Sequence, residues 1–231
     1  MNMMLVLPMG QCRLPTRTRT AVMRLHHRWT RTKGDSDFAT SQPQFCTEPR
    51  PLLILDLDET LIHAADVPLG RAPDFRVGPY FVYRRPGLDE FLSEVRQAFQ
   101  LAIWSSSGSE YLHLVVSEIL PADLRLEFLW GRERCVYRFD GERHETYFVK
   151  DLKKAKRRGF DLARTLVVDD SPEKLERNYG NAIYIKPYLG TLADRELQRL
   201  SQYLRTFAGI DDVRRVEKRG WRQQVVLDHD S

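Results

Sequence analysis

The sequence predicts an α/β protein: a Rossmann-like parallel sheet flanked by helices, with a small β-hairpin insertion. Three observations predict it. Short apolar runs alternate with helical stripes, the pattern of βαβ units. Several of those runs end in acids or a hydroxyl, as in LLILDLDETL (52–61), QLAIWS (100–105) and TLVVDD (165–170). Asp140-Gly141 lies between β-rich flanks, a hairpin signal.

Taken in order, PLLILD (51–56) is a continuous apolar run, as expected of a strand buried on both faces. YFVYRR (80–85) reads as extended. Leu88, Phe91, Leu92, Val95 and Phe99 follow at helical spacing and form one apolar face. QLAIWS is the next strand, and Leu112, Val115, Val116, Ile119 and Leu120 repeat the helical stripe. EFLW (127–130) is a short strand and RCVYRFDGERHETYFV (134–149) the hairpin. TLVVDD and AIYI (182–185) are strands, and Leu197, Leu200, Leu204 and Phe207 mark a last helix. The charged tail beyond about Ile210 is expected to be loosely held.

At 231 residues and 42% hydrophobic, the chain suits one domain with extensions. No stretch reaches the roughly 18 apolar residues of a membrane span. Cys12, Cys46 and Cys135 are scattered, without a CxxC pair, which argues for a reducing compartment. Residues 1–34 hold seven of the 36 Arg and Lys and no acid, leaving 29 basic residues against 32 acids elsewhere. The basic pI therefore belongs to this arm, and the body gives no composition-level case for nucleic acid. Such an arm is the signature of an organellar transit peptide, or else a leader without structure. Residues 35–50 are polar with prolines and read as a linker.

In open α/β sheets, ligands bind outside the carboxyl ends of the strands. A parallel sheet would gather Asp56, Asp58, Ser105, Asp169 and Asp170 along that edge, with Lys150 just beyond the insertion. Crowded carboxylates raise one another's pKa and destabilise the fold. A hard divalent cation resolves the conflict, and magnesium suits best because it pairs one or two carboxylates with a phosphate oxygen. Asp56 and Asp58, two apart on an extended strand, point the same way. One can act as nucleophile and the other as general acid/base at a single phosphorus. Lys150 and the Ser105 hydroxyl would hold the remaining phosphate oxygens.

DLDET matches the DxDxT signature of haloacid-dehalogenase-superfamily phosphatases. FVYRRPGLDEFL, IWSSS, YFVKDL, LVVDDSPEK and NAIYIKPY follow in order. Together they resemble the RNA polymerase II C-terminal-domain phosphatases and their nuclear LIM interactor-interacting-factor relatives, over about residues 50–208. The resemblance implies the haloacid dehalogenase fold and a magnesium-dependent phosphatase acting on phosphoserine or phosphothreonine in a polypeptide. It implies Asp56 as nucleophile and metal ligand, and Asp58 as general acid/base with its carbonyl on the metal. Ser105 and Lys150 would bind phosphate, Asp170 the metal directly, and Asp169 the metal through a partner or water. Thr60 would steady the loop after the first strand, and Arg132 aligns loosely with a substrate-facing arginine of the small phosphatases, the alternative being a surface salt bridge. The family usually has Thr where this chain has Ser105; the hydroxyl is kept. Ala64–Tyr80 and Arg132–Thr146 match the family insecurely, and those are the regions that build its substrate surface.

Other chemistries fit less well. An EF-hand loop starting at Asp56 would need Gly where Leu61 stands. A Cys-x5-Arg phosphatase loop starting at Cys135 would need Arg where Gly141 stands. No GxxxxGK[ST] motif is present. Trp104 and Trp130 are expected in the core or pocket wall, and KKAKRR (153–158) on a solvated helix face. The expected organisation is a basic arm and linker at 1–48, a phosphatase domain at 49–208 with a β insertion near 127–149, and a charged tail at 209–231. A monomer in the cytoplasm or nucleus is expected. The alternatives are a substrate that is a nucleic-acid end or small metabolite, or a binding module resembling a mitochondrial presequence receptor.

Overall fold

A computed structural model of the chain describes residues 50–225, Arg143 excepted. The basic arm and most of the linker lie outside them. β1 (Leu52–Leu55) is the centre of a five-stranded sheet. It pairs in parallel with β5 (Gln100–Trp104) on one side and β9 (Thr165–Asp169) on the other. β6 (Leu126–Trp130) and β10 (Ala182–Tyr184) complete the order β10-β9-β1-β5-β6, all parallel.

Every residue of β1 is buried because both faces of the sheet are covered, hence its uninterrupted apolar sequence. Side chains alternate between the faces. Leu53 and Leu55 join the cluster containing Phe91, Leu92, Leu200 and Leu204, whereas Leu52 and Ile54 join Trp104, Trp130, Leu152 and Ala155. The first face is covered by α1 (Leu88–Ala98), α2 (Ser109–Ile119) and α4 (Glu196–Arg205). α1 follows Gly87, whose φ of 77° suits a residue without Cβ. It buries Leu88, Phe91, Leu92 and Val95, each worth roughly 1.5–3 kcal/mol relative to exposure. The short α3 (Lys153–Arg157) buries Ala155 and exposes Lys153 and Lys156, as expected for KKAKRR, whereas Lys154 is half-buried and donates to the Arg134 carbonyl at 2.6 Å. Trp104 and Trp130 are core residues, their rings edge to face at 4.9 Å.

The structure corrects the sequence reading in three places. Besides the expected hairpin, β7 (Val136–Asp140) with β8 (Glu145–Val149), a three-stranded antiparallel sheet lies between β1 and α1. It consists of β2 (Ile62–Ala65), β3 (Phe75–Val77) and β4 (Tyr80–Arg84). β2 and β3 are short strands with mixed burial, too brief to show a period. Residues 126–130, expected at the start of the insertion, belong to the main sheet, because β6 extends β5 in parallel. SPEKLERN (171–178), after β9, makes a single 3-10 turn at Pro172–Leu175.

The segment beyond Ile210, expected to be loose, is packed. Val213 and Trp221 are buried, and Trp221 stacks on Tyr203 of α4 while its indole nitrogen donates to the Tyr184 carbonyl at 2.9 Å. Lys218 donates to the carbonyls of Gly180, Val213 and Val216 at 2.8, 2.5 and 2.9 Å. An ammonium paired with carbonyls does not register in a hydrophobic pattern, so charge density in the tail misled the reading.

Candidate active site

The strand order decides the geometry. With β1 between β9 and β5, Asp56 has Asp169 and Asp170 on one flank and Ser105 on the other. The Asp56 amide continues the ladder onto the Val168 carbonyl at 2.9 Å, which fixes the first acid. The chain then turns sharply. The Leu57 carbonyl accepts from the amides of Thr60, Leu61 and Ile62 at 3.3, 2.8 and 3.2 Å, and Glu59 takes a left-handed φ of 56°. The Thr60 hydroxyl, expected to steady this loop, is buried without a hydrogen-bond partner among the described residues.

Arg85 does the steadying instead. Its buried guanidinium donates to the Thr60 carbonyl at 3.0 Å and the Lys186 carbonyl at 2.8 Å, and forms two 2.9 Å bonds with Asp194. The amide of Tyr188 also donates to the Glu59 carbonyl at 2.7 Å. The loop after β1 is thereby tied to the segment after β10.

Asp56, Asp169 and Asp170 each offer a carboxylate oxygen within 4.8 Å of the other two. Lys150, 0% exposed, donates to Asp56 Oδ1 at 2.7 Å and Asp169 Oδ2 at 2.6 Å. Burial alone would raise the Asp56 pKa, but Lys150 and Lys174 hold it below the usual carboxylate range. Asp169 is pushed up to about 6, first by burial and then by Asp56. Burial would lower Lys150, yet Asp169 and Asp56 keep it above its ordinary value. An all-oxygen donor set with two buried members fits a hard divalent ion such as magnesium.

Asp58 stands apart from that trio. Its Oδ2 accepts from Ser107 Oγ at 2.7 Å and Ser105 Oγ at 3.2 Å, and its Oδ1 from the Tyr111 hydroxyl at 2.8 Å. The Ser105 hydroxyl also accepts from the Ser107 amide at 3.0 Å. Burial and then Asp58 hold the Tyr111 phenol above its usual pKa. Glu59 is pushed up to about 7, chiefly by burial and then by Asp58 and Asp170. These residues face a groove of about 390 Å³ lined by Asp58, Tyr80, Ser107, Tyr111, Arg132 and Lys174, among others. Arg132 reaches it with its Nε bonded to the Ser106 carbonyl at 2.7 Å and its guanidinium 5.1 Å from the Phe148 ring centre. Two cavities of about 560 Å³ lie elsewhere, one against the C-terminal segment and one between α1 and α4. Neither is lined by the acids at the strand ends.

All the residues expected at the site are thus brought to one edge: Asp56, Asp58, Ser105, Lys150, Asp169 and Asp170, with Arg132 on the groove. Sequence reasoning missed Tyr111, Ser107 and Lys174. Tyr111 sits beside the apolar stripe of α2 and reads as core, and Ser107 reads as a turn residue. The spacing of Lys174, four after Asp170, was the available signal.

A five-stranded parallel sheet with an aspartate leaving its central strand and two more leaving the neighbour defines an α/β protein of the haloacid dehalogenase type. The chain belongs to the NLI interacting factor-like phosphatase family, whose model matches residues 51–214. It is 31% identical over 168 residues to the human "Carboxy-terminal domain RNA polymerase II polypeptide A small phosphatase 1", covering 70% of this chain and 60% of that protein. It is 32% identical over 172 residues to a "Probable C-terminal domain small phosphatase" of Dictyostelium discoideum, covering 71% and 53%. A further relative from that organism, "CTD small phosphatase-like protein 2", is 29% identical, covering 74% of this chain and 30% of its own length. The chain thus spans about a third to three fifths of these relatives. A solved structure of an essential RNA polymerase II CTD phosphatase aligns at a TM-score of 0.46 with 22% identity, over 76% of this chain and 48% of that one. The fold assignment rests on the sheet order itself.

Proposed function

We propose that the chain is a magnesium-dependent, aspartate-based phosphatase acting on phosphoserine or phosphothreonine in polypeptides. The observation that carries this reading is the environment of Asp56. Its carboxylate is buried at the end of the central strand, kept ionised by Lys150 and Lys174, and clustered with Asp169 and Asp170, with Lys174 between them and the groove it lines.

Asp56 attacks phosphorus, forming a P–O bond to its carboxylate as the ester P–O bond breaks. Asp58 gives a proton to the departing alkoxide, then takes one from the water that cleaves the aspartyl phosphate and frees inorganic phosphate. Ser107 and Tyr111 aim Asp58 for both steps. Lys150 and the Ser105 hydroxyl offer donors to the equatorial phosphate oxygens. When bound by Asp56 and Asp170, with the Asp58 carbonyl and Asp169 in support, magnesium supplies positive charge against the phosphoryl group. The open groove, with Arg132 on its wall, supports a polypeptide over a small metabolite. The presequence-receptor alternative rests on residues 1–34, outside the described residues.

The test is hydrolysis of an aryl phosphate, then of phosphopeptides, with magnesium and with chelator. Turnover is expected only with magnesium. Asp56→Asn should abolish it, and Asp58→Asn should lower it by about 10²- to 10⁴-fold. Metal-independent turnover, or full activity in Asp56→Asn, would sink the mechanism.

A further inference from the structure

Lys174 helps to keep Asp56 ionised, but no step of the proposed reaction uses it directly. Its carbonyl accepts from the Lys150 amide at 2.7 Å, so both lysines are anchored at the same point of the fold. They divide the carboxylate oxygens between them. Lys150 takes Asp56 Oδ1 and Asp169 Oδ2. Lys174 Nζ lies 3.2 Å from Asp56 Oδ2, 3.6 Å from Asp169 Oδ1 and 3.4 Å from Asp170 Oδ1. The second lysine therefore addresses all three members of the trio that fits a divalent ion. The two also differ in freedom. Lys150 is 0% exposed, whereas the Lys174 side chain is 17% exposed and lines the groove.

We infer that Lys174 is a tethered cation that competes with the divalent ion for the Asp56, Asp169 and Asp170 oxygens and thereby sets the metal affinity of the site, which rests on the magnesium site proposed above. An ammonium 3.2–3.6 Å from one oxygen of each of the three acids and a metal ion ligated by the same oxygens repel each other, whereas Lys150 holds the opposite oxygens of Asp56 and Asp169. A lysine on a flexible four-carbon stem can withdraw into the groove. The apparent metal affinity is then the intrinsic affinity multiplied by the fraction of molecules whose ammonium is withdrawn. Without metal, the same ammonium offsets the mutual repulsion of three acids, two of them buried. The site so built tolerates metal loss at the expense of metal affinity.

The test uses the full chain as wild type, Lys174→Met and Lys174→Arg. Magnesium binding is read by titration calorimetry, and thermal unfolding is followed in chelator and in excess magnesium. Lys174→Met is expected to bind magnesium about tenfold tighter, as for a withdrawn fraction near one tenth in the wild type. Its Tm should fall below wild type in chelator and rise more than wild type on adding magnesium. Lys174→Arg keeps the charge and should stay close to wild type in both. Lys174→Gln is read in the same way should the Met variant fail to fold. Magnesium binding to the wild type with no tightening in the neutral variants, or an unchanged Tm in chelator, would overturn the competition alone. No magnesium binding by any of the proteins would overturn both the competition and the proposed metal site.

Discussion

Lys150→Met removes one charge and keeps most of the apolar stem. The ammonium lies between Asp56 and Asp169 at 2.7 and 2.6 Å, and all three side chains are at most 1% exposed. Taking one partner from a buried ion pair costs about 3–5 kcal/mol, because the charge left behind has lost its hydration. Lys174 still reaches both acids, so the lower end, about 3 kcal/mol, is expected at neutral pH in chelator. That is a large share of the roughly 5–15 kcal/mol that holds a domain together. The sign with pH follows from the carboxylates. Asp169 already titrates at about 6 through burial and Asp56, and losing Lys150 raises it further. A carboxylate raised above its unfolded value binds more protons folded than unfolded, so stability is greatest at low pH and is lost as pH rises through the folded pKa. The deficit against wild type should therefore grow from about pH 5 to about pH 8, by at most about 1.4 kcal/mol per pH unit for each proton involved. Urea unfolding at both pH values measures it. A loss under about 1 kcal/mol, or a deficit independent of pH, would refute the reasoning.

Three further changes test the packing that supports the site. Arg85→Met takes the guanidinium from Asp194 and from the Thr60 and Lys186 carbonyls, and denaturant unfolding should show a loss of about 3–5 kcal/mol. Trp221→Ala removes the stack on Tyr203 and should cost about 3–5 kcal/mol by thermal unfolding; a loose tail would give a change near zero. Gly190→Ala puts a Cβ 2.2 Å from Leu69 Cδ1 at a φ of 88°, for a loss of about 1–3 kcal/mol in denaturant. Adding Leu69→Ala should recover the contact part of that loss and not the backbone part.

The apolar runs of β1, β5 and β9 announced the main sheet because strands buried on both faces cannot afford polar residues. The stripes of α1 and α4 were legible for the complementary reason, that one face of each meets the core. β2 and β3 escaped notice because three- and four-residue strands with mixed burial carry too little pattern to count. At the site, Asp56, Asp58, Ser105, Asp169 and Asp170 could be placed at one edge from strand ends, since parallel topology turns distant strand ends into neighbours, whereas Lys150 follows a strand of the antiparallel hairpin and was placed from its position just beyond the insertion. Tyr111 and Ser107 were not, because a hydroxyl that serves another residue's carboxylate looks like any other tyrosine or serine in the chain.

By itself, the sequence determined the layer architecture, the edge where the acids gather and which acids they are, because burial and like-charge crowding act on residue type and order. The tertiary structure decided which carboxylate oxygens each lysine holds and that Arg85, rather than Thr60, clamps the loop after β1. It also decided that residues 213–225 pack on α4 and the edge of the sheet. Those outcomes depend on which side chains meet across separations such as 118 residues between Lys174 and Asp56, and hydrogen-bond geometry of that range leaves no period or spacing in the chain.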